Sequence, residues 1–518
     1  MGSAKDRLIR ATSWHAAGRA AAGVLGVVQQ AYAFAALREE RYGLLTLVAA
    51  LTLLLVLVEM GLRTSTVHFV AGEGGRADAA ASREVLGTAT LVHLAAGGLL
   101  ALPFALAAGS VADLFTVDPA MRGEAVALLR WMAASLVLGN AASGWTSVLV
   151  ALQRTGPVAA GMVAGGVAQL AGTVAGVRAG LGAVSLGIGF AAGTAVRAAV
   201  EAVAASRALP GVSILPWHAS RAGLRKLLDL GRHLQVARTV DVLVFNLDQV
   251  LVSRFLGVGA GGVYRLASDL VLKLREAPLL LASGVLPAAR EVKDADDGAS
   301  VRRLYLRGTK YVVAAAALGA AFTAAAAPEV LRAVGGAAAA GGAPVLALLC
   351  AGVFANVAVG VGVLVGIGLG RADLQARSAV ISAAVSVLLV PAALAAGLGL
   401  AGAGAATAAA LAAGAAGFLA PIHRVLGVSA REALRTSYLP PLLPAAGVAA
   451  AVLLLHRGPL APLLEGAGRG RLVACLAAEG AVLSLAYGAA LWLSGWLDPF
   501  DRDVLRRALP FAAREGGR

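Results

Sequence analysis

The chain has 518 residues, 59% hydrophobic, 14% charged and 5% aromatic, with a formal net charge of +15 and a mean hydropathy of +0.80. A soluble domain carries about 25% charged residues, so a water-soluble globule is excluded, and the lack of ten-residue alternation excludes a transmembrane barrel. The basic residues sit at the ends of apolar runs rather than in one patch, which removes a nucleic-acid reading of the positive charge.

Apolar runs of about 20 residues, the length that crosses a bilayer as a helix, recur from end to end. They predict an all-α polytopic membrane protein with about 14 transmembrane helices. The predicted spans are 11–36, 44–63, 85–108, 124–152, 157–177, 184–206, 233–256, 263–289, 311–328, 343–369, 378–397, 400–422, 439–456 and 472–495. The first run is too long for the apolar region of a signal peptide. Cys350 and Cys475 each fall inside a predicted span and read as small apolar fillers.

Lys and Arg in short loops set orientation. With the N-terminus in the cytoplasm, the even-numbered loops and both termini carry 27 basic residues and the odd-numbered loops carry 8. Both termini are therefore expected in the cytoplasm. The longest cytoplasmic connection, 207–232, holds Trp217, Leu224, Leu227, Leu228 and Leu230 among basic residues. An interfacial helix and a solvated basic linker fit it equally.

The chain also matches itself. A shift of 217 positions places Arg154 on Arg371, Gly180 on Gly397, Leu181 on Leu398, Gly182 on Gly399 and Gly187 on Gly404. A shift of 219 places Arg19 on Arg238 and Gln30 on Gln249. The expected organisation is two pseudo-symmetric six-helix halves, 1–206 and 207–425, followed by two additional transmembrane helices and a cytoplasmic tail over 426–518. Six spans per half keep the orientation, so the pseudo-twofold axis runs along the membrane normal, with a substrate site expected between the halves.

The stretch from Arg238 to Glu276 departs most from a plain membrane span. It reads as two helices joined by the glycine-rich turn 256–262. Arg238, Asp241, Phe245 and Asp248 share one face of the first. Arg265, Asp269, Lys273 and Glu276 form a stripe of mixed sign on the second. Ionised groups at membrane depth cost a few kcal/mol each, so they face one another or a water-filled path. Across the chain, the cations at membrane depth are Arg19, Arg63, Arg130, Arg197, Arg238, Arg254, Arg265, Lys273 and Arg275. Arg19 shares a face of the first span with His15 and Gln30. Near span ends, snorkelling accounts for Arg63, Arg197 and Arg254 as well as ligand contact does. Glu59 with Arg63, Arg238 with Asp241, and Asp269 with Lys273 are spaced to pair on their own helices. Asp248 has no basic residue three or four positions away on its own helix, so it reads as a coupling-ion or proton site. Pro103, Pro278 and Pro391 lie inside spans, where proline can kink a helix.

Twelve core spans in two halves, plus two more, resemble the polysaccharide and oligosaccharide-lipid flippases (the O-antigen and exopolysaccharide translocases) of the multidrug/oligosaccharidyl-lipid/polysaccharide exporter superfamily. The local match is Asp248 to Gly257, then Gly262-Val-Tyr264, then Gly284-Val-Leu-Pro287, with Glu40-Arg-Tyr42-Gly43-Leu44 as the first-half counterpart. The resemblance covers roughly residues 5–425. It implies a multi-pass protein of the bacterial inner membrane. Such a protein carries a polyprenyl-pyrophosphate-linked oligosaccharide between leaflets, alongside polysaccharide polymerase and assembly proteins. Helices one, two, seven and eight are the implied cavity walls. On this reading Arg19, Gln30, Arg63, Arg238, Arg265, Lys273 and Arg275 bind substrate, because arginine's planar fork suits pyrophosphate oxygens. Glu59, Asp241, Asp248 and Asp269 are the candidates for coupling to Na+ or H+, and no cofactor or metal is expected.

The competing reading is an ion-coupled multidrug or small-molecule exporter of the same superfamily. A glycan polymerase or ligase is disfavoured, because the extracytoplasmic loops 109–123 and 329–342 are short and poor in Arg and His. No nucleophile elbow is present, and the run Gly335–Gly342 matches no phosphate-cradling loop.

Overall fold

A computed structural model of the chain describes residues 4–48, 66–67, 69–70, 79–115, 117–152, 154–209, 213–225, 227, 246–282, 285 and 298–498. No strand occurs among them. The reason is physical. In hydrocarbon every backbone N–H and C=O must be satisfied within its own segment, which an α-helix achieves, and the abundant alanine has the best helix propensity.

In chain order the helices are α1 (Ala4–Gly43), α2 (Ala79–Leu106), α3 (Ala108–Leu114), α4 (Arg122–Ala151), α5 (Thr155–Arg178) and α6 (Val184–Ala208). Helix α7 is the described stretch 246–256. Then follow α8 (Val258–Leu281), α9 (Gly298–Ala325), α10 (Ala327–Gly335), α11 (Ala343–Ala358), α12 (Gly360–Gly368), α13 (Ala372–Ala395), α14 (Gly399–Leu426), α15 (Leu439–Arg457) and α16 (Arg469–Leu493). Ten helical stretches among the described residues are long and apolar enough to cross a membrane. Helix α8 is not one of them, because its charged stripe interrupts the apolar window. The expected spans 44–63 and 233–256 fall largely outside the described residues.

Most helix boundaries sit where the apolar runs end. One differs. The expected span at 311–328 begins earlier, at Gly298. The basic residues Arg302, Arg303, Arg307 and Lys310 therefore lie on a helical extension rather than in a loop. Their partners explain why the helix persists: Arg302 pairs with Glu432 and Arg307 with Asp498. Lys310 stacks over Trp496 at 4.4 Å from the ring centroid. Pro103, Pro278 and Pro391 all lie within α-helix, and α8 continues past Pro278 to Leu281.

The repeat seen in sequence recurs in local geometry. Gly180 and Gly182 have φ of 75° and 53°, and Gly397 and Gly399 have 73° and 60°. In both turns the glycine N–H bonds back three residues (Gly180 to Val177, Gly397 to Leu394). The following leucine N–H bonds back five (Leu181 to Gly176, Leu398 to Ala393). This is the Schellman helix stop, which needs a left-handed residue and so selects glycine.

Contacts divide the chain into two compact units. One comprises Met1–Leu270, Val334–Val345 and Ala379–Ala410; the other comprises Val271–Ala333, Leu346–Ser378 and Leu411–Arg518. In the first, α5 and α6 pack most extensively, with α4 against α6, α1 against α5 and α2 against α4. Its core includes Val148, Leu149, Val158 and Ala205. In the second, α9 packs on α15 and α16 through Ala314, Ala317, Val448, Val452 and Tyr487.

Candidate functional site

The glycine-rich turn joins α7 to α8 through Gly257, at φ 89°. Two further glycines let chains meet backbone to backbone. A Cβ on Gly262 would lie 2.7 Å from the Glu39 carbonyl oxygen and 2.9 Å from the Gly43 Cα, and one on Gly43 would run into the Val258 carbonyl. The element Glu40 to Leu44 and the element Gly262 to Tyr264 thus pack directly on each other. Beside this contact lies a cavity of about 500 Å³ whose walls include Glu39, Glu40, Asp118 and Gly257. Helix α1 changes direction just before it: Arg38 has φ 61° and ψ 175°, a conformation that costs a non-glycine residue about 1–3 kcal/mol.

This packing buries Asp248 (3% exposed). Its Oδ2 accepts from the Tyr264 hydroxyl at 2.6 Å and from the Thr407 hydroxyl at 3.2 Å, and its Oδ1 accepts from the Gln249 N–H at 2.7 Å. All of these donors are neutral. No cation among the described residues lies within ion-pair distance of Asp248. The result is a cluster of hard oxygen atoms around one carboxylate, the donor chemistry that suits a proton or a small hard cation.

One helical turn further along α8 is a second polar cluster. Gln30 of α1 donates from Nε2 to Asp269 Oδ2 at 2.8 Å. Arg265 approaches the same oxygen at 3.5 Å and donates from Nη1 to the Leu45 carbonyl at 3.2 Å. Tyr42 is buried beside both Arg265 and Asp269 and packs against Phe34, with ring centroids 5.2 Å apart. Gln30 Oε1, the Tyr42 hydroxyl and Arg265 Nε are buried with no hydrogen-bond partner among the described residues. The Tyr42 hydroxyl lies against the Arg265 side chain and Arg265 Nε faces Asp269 across 3.5 Å. Native buried polar groups are nearly always bonded, so Gln30 Oε1 is the atom with spare capacity for water or a polar ligand.

The second unit holds the rest of the stripe. Lys273 lies 3.8 Å from Glu276, with side chains 39% and 44% exposed. Arg275 donates from Nε to Asn356 Oδ1 at 3.1 Å. In the same unit an apolar groove of about 380 Å³ runs past Leu274, Pro278, Leu318, Phe322 and Gly480.

Of the expected site residues, Gln30, Arg265 and Asp269 come together, Asp248 is buried in its own cluster, and Lys273 and Arg275 stand on the same helix α8. Asp269 faces Arg265 on the preceding turn and Gln30 from α1, while Lys273 meets Glu276; the Asp269–Lys273 spacing is not the pairing used. Arg63, Glu59, Arg238 and Asp241 lie outside the described residues, as does the side chain of Arg19. Tyr42, Thr407 and Asn356 were not among the expected site residues. Thr407 is the only polar side chain between Gly399 and Ile422, and Asn356 the only one between Ala343 and Leu369; that isolation in apolar sequence is the signal that marks them. Among the described residues no group of three His, Cys, Asp or Glu is placed to hold a metal ion.

A family model described as "Polysaccharide biosynthesis protein" matches residues 36–338. Among solved structures, the fold is similar to that of the lipid II flippase MurJ in an inward closed conformation. The two are 12% identical over 93% of this chain and 99% of that one, with a TM-score of 0.70. It is similar to an inward-facing multidrug resistance MATE family transporter of the MOP superfamily, at 15% identity over 81% and 96% of the two chains and a TM-score of 0.65. It also resembles a MOP superfamily transporter from Pyrococcus furiosus noted for the reverse polarity of its binding pocket (14% identity, 83% and 98% coverage, TM-score 0.60). No curated protein sequence matches the chain.

Proposed function

Because the chain belongs to the polysaccharide biosynthesis protein family, within the MOP exporter superfamily of flippases and transporters, we propose that it flips a polyprenyl-pyrophosphate-linked oligosaccharide across the bacterial inner membrane by alternating access, with both termini cytoplasmic. On this reading it catalyses no bond change, and an ion gradient or consumption of the product drives net movement.

The observation that carries the reading is the state of Lys273 and Glu276. They are the sixteenth and nineteenth residues of the 24-residue helix α8, which is about 36 Å long at 1.5 Å per residue. Both remain roughly two-fifths exposed. A half-exposed charge facing hydrocarbon is too costly to keep, so that face borders water. A wet, charged path takes an anionic pyrophosphate and its sugar. The apolar groove past Leu318 and Phe322 offers a surface for the lipid tail. Lys273 and Arg275 contact the head on this reading. Asp248, with the Tyr264 and Thr407 hydroxyls, holds the coupling Na+ or H+.

A second reading draws on the charge balance. Arg265 is offset by Asp269 and Lys273 by Glu276, so the stripe is less cationic than its residue types suggest. This favours an ion-coupled exporter of small molecules. A reconstituted assay separates the two. With a fluorescent short-chain polyprenyl-pyrophosphate glycan in proteoliposomes, wild type moves the probe, and Lys273→Ala and Arg275→Ala slow it about tenfold or more. Movement of a cationic dye but not of the glycan lipid would replace the flippase reading with the exporter reading.

A further inference from the structure

The first unit contains a polar cavity that the proposed function does not use. It lies between α4 and α6, with a volume of about 210 Å³. Its floor is Glu201, 2% exposed. The Glu201 carboxylate accepts from Arg197 Nε at 2.8 Å and from the Thr146 hydroxyl. Arg197 makes no hydrogen bond from either Nη group among the described residues. The Asn140 amide and the Thr194 hydroxyl line the same space and make none either. Phe190 supplies an aromatic wall.

Depth makes these groups informative. Thr194, Arg197 and Glu201 are the eleventh, fourteenth and eighteenth residues of the 25-residue helix α6, so Arg197 stands at the middle of a stretch apolar enough to cross the membrane, not near its end as expected from the sequence. Arg197 is 39% exposed and Asn140 and Thr194 are half-buried, so their polar atoms open into this space, and polar groups facing hydrocarbon at that depth would cost several kcal/mol each. The cavity therefore holds polar matter. A small cation is a poor occupant, because Arg197 already neutralises Glu201. An anion is repelled by the carboxylate at the floor. What fits is a neutral ring bearing many hydroxyls. Glu201 and the Asn140 carbonyl accept, and the Arg197 Nη groups, the Asn140 amide and the Thr194 hydroxyl donate. The C–H face of the ring lies on Phe190. A cavity of about 150 Å³ already admits a six-membered ring, so about 210 Å³ leaves room for its hydroxyl groups.

We infer that the cavity between α4 and α6 is a monosaccharide subsite that takes one pyranose ring. The inference rests on the flippase reading and deepens it: the ring is either a sugar of the lipid-linked glycan or a free sugar from solution.

The test uses the full chain in nanodiscs and three probes. These are a short-chain polyprenyl pyrophosphate carrying one N-acetylhexosamine, the same lipid without the sugar, and the methyl glycoside of that hexosamine. Wild type is compared with Asn140→Ala, Thr194→Val and Phe190→Leu. Wild type is expected to bind the sugar-bearing lipid about tenfold more tightly than the sugar-free one, the effect of one or two net hydrogen bonds. Each variant loses most of that margin while its affinity for the sugar-free lipid stays unchanged, which also shows that it is folded. Competition by the methyl glycoside, lost in the variants, assigns a free sugar to the site; discrimination confined to the lipid-linked sugar assigns the carried glycan. Equal affinity of wild type for both lipids, or an undiminished margin in all three variants, overturns the subsite and leaves the flippase reading standing. Failure of wild type to bind either lipid overturns both.

Discussion

Removing the Tyr264 hydroxyl tests the chemistry at Asp248. Tyr264→Phe keeps the ring and opens no cavity; it removes the 2.6 Å hydrogen bond to Asp248 Oδ2 and the 3.1 Å contact with the Thr407 hydroxyl, and comparison with an Asp248→Asn background separates the first from the second. Asp248 Oδ2 then keeps only Thr407, at 3.2 Å. A hydrogen bond to an ionised carboxylate contributes about 1.5–3 kcal/mol, against about 0.5–1.5 for a neutral pair. With Asp248 ionised, Tyr264→Phe should therefore cost about 2 kcal/mol. In an Asp248→Asn background the same change should cost about 1 kcal/mol or less. Reversible unfolding in mixed detergent micelles measures both, and their difference is the coupling between the two side chains. Equal costs in the two backgrounds, or a cost under about 0.5 kcal/mol in wild type, would refute the argument that Tyr264 serves a charged Asp248.

Three other outcomes follow from the same geometry. Arg38→Gly should raise stability by about 1 kcal/mol, since relieved strain of about 1–3 kcal/mol outweighs the entropy of an added glycine; Arg38→Ala, which keeps the strain, should leave the melting temperature unchanged. Gly262→Ala should destabilise by about 1–3 kcal/mol through overpacking, because its Cβ would meet backbone at Glu39 and Gly43, and thermal unfolding reads this directly. Asn356→Ala removes one hydrogen bond of Arg275, the 3.1 Å contact from Nε; binding of the polyprenyl-pyrophosphate probe should weaken severalfold as the guanidinium is held less tightly in place, with no change in melting temperature beyond about 2 °C.

Much of the fold is written in hydropathy. Helices α4, α5, α6 and α16 begin and end within about three residues of the apolar runs that mark them, because a lipid-facing helix has no other composition available. The turns at Gly180 and Gly397 were legible for a different reason: a left-handed helix stop tolerates little besides glycine. The early start of α9 was not. Arg302 to Lys310 lack the apolar signature of a span, and their helicity depends on Glu432, Trp496 and Asp498, more than a hundred residues away. The site divides in the same way. Asp248 stood out as a carboxylate with no cation at helical spacing. Its partners come from other helices, Tyr264 at 16 residues and Thr407 at 159, a distance that one-helix periodicity cannot bridge. Spacing likewise offers Asp269 two basic neighbours, Arg265 and Lys273. The chain uses Arg265, with Gln30 arriving from a helix 239 residues earlier.

The central claim is that α8 borders a water-filled path which an anionic lipid head occupies. Labelling a single cysteine at position 273 tests it most directly. With Cys350 and Cys475 replaced by serine or alanine, Lys273→Cys is exposed in membranes to a charged, membrane-impermeant thiol reagent. The account predicts rapid modification, slowed several-fold by the polyprenyl-pyrophosphate glycan and not by the polyprenyl alcohol. A thiol that stays unmodified, or one whose reaction the glycan lipid leaves unchanged, would contradict it.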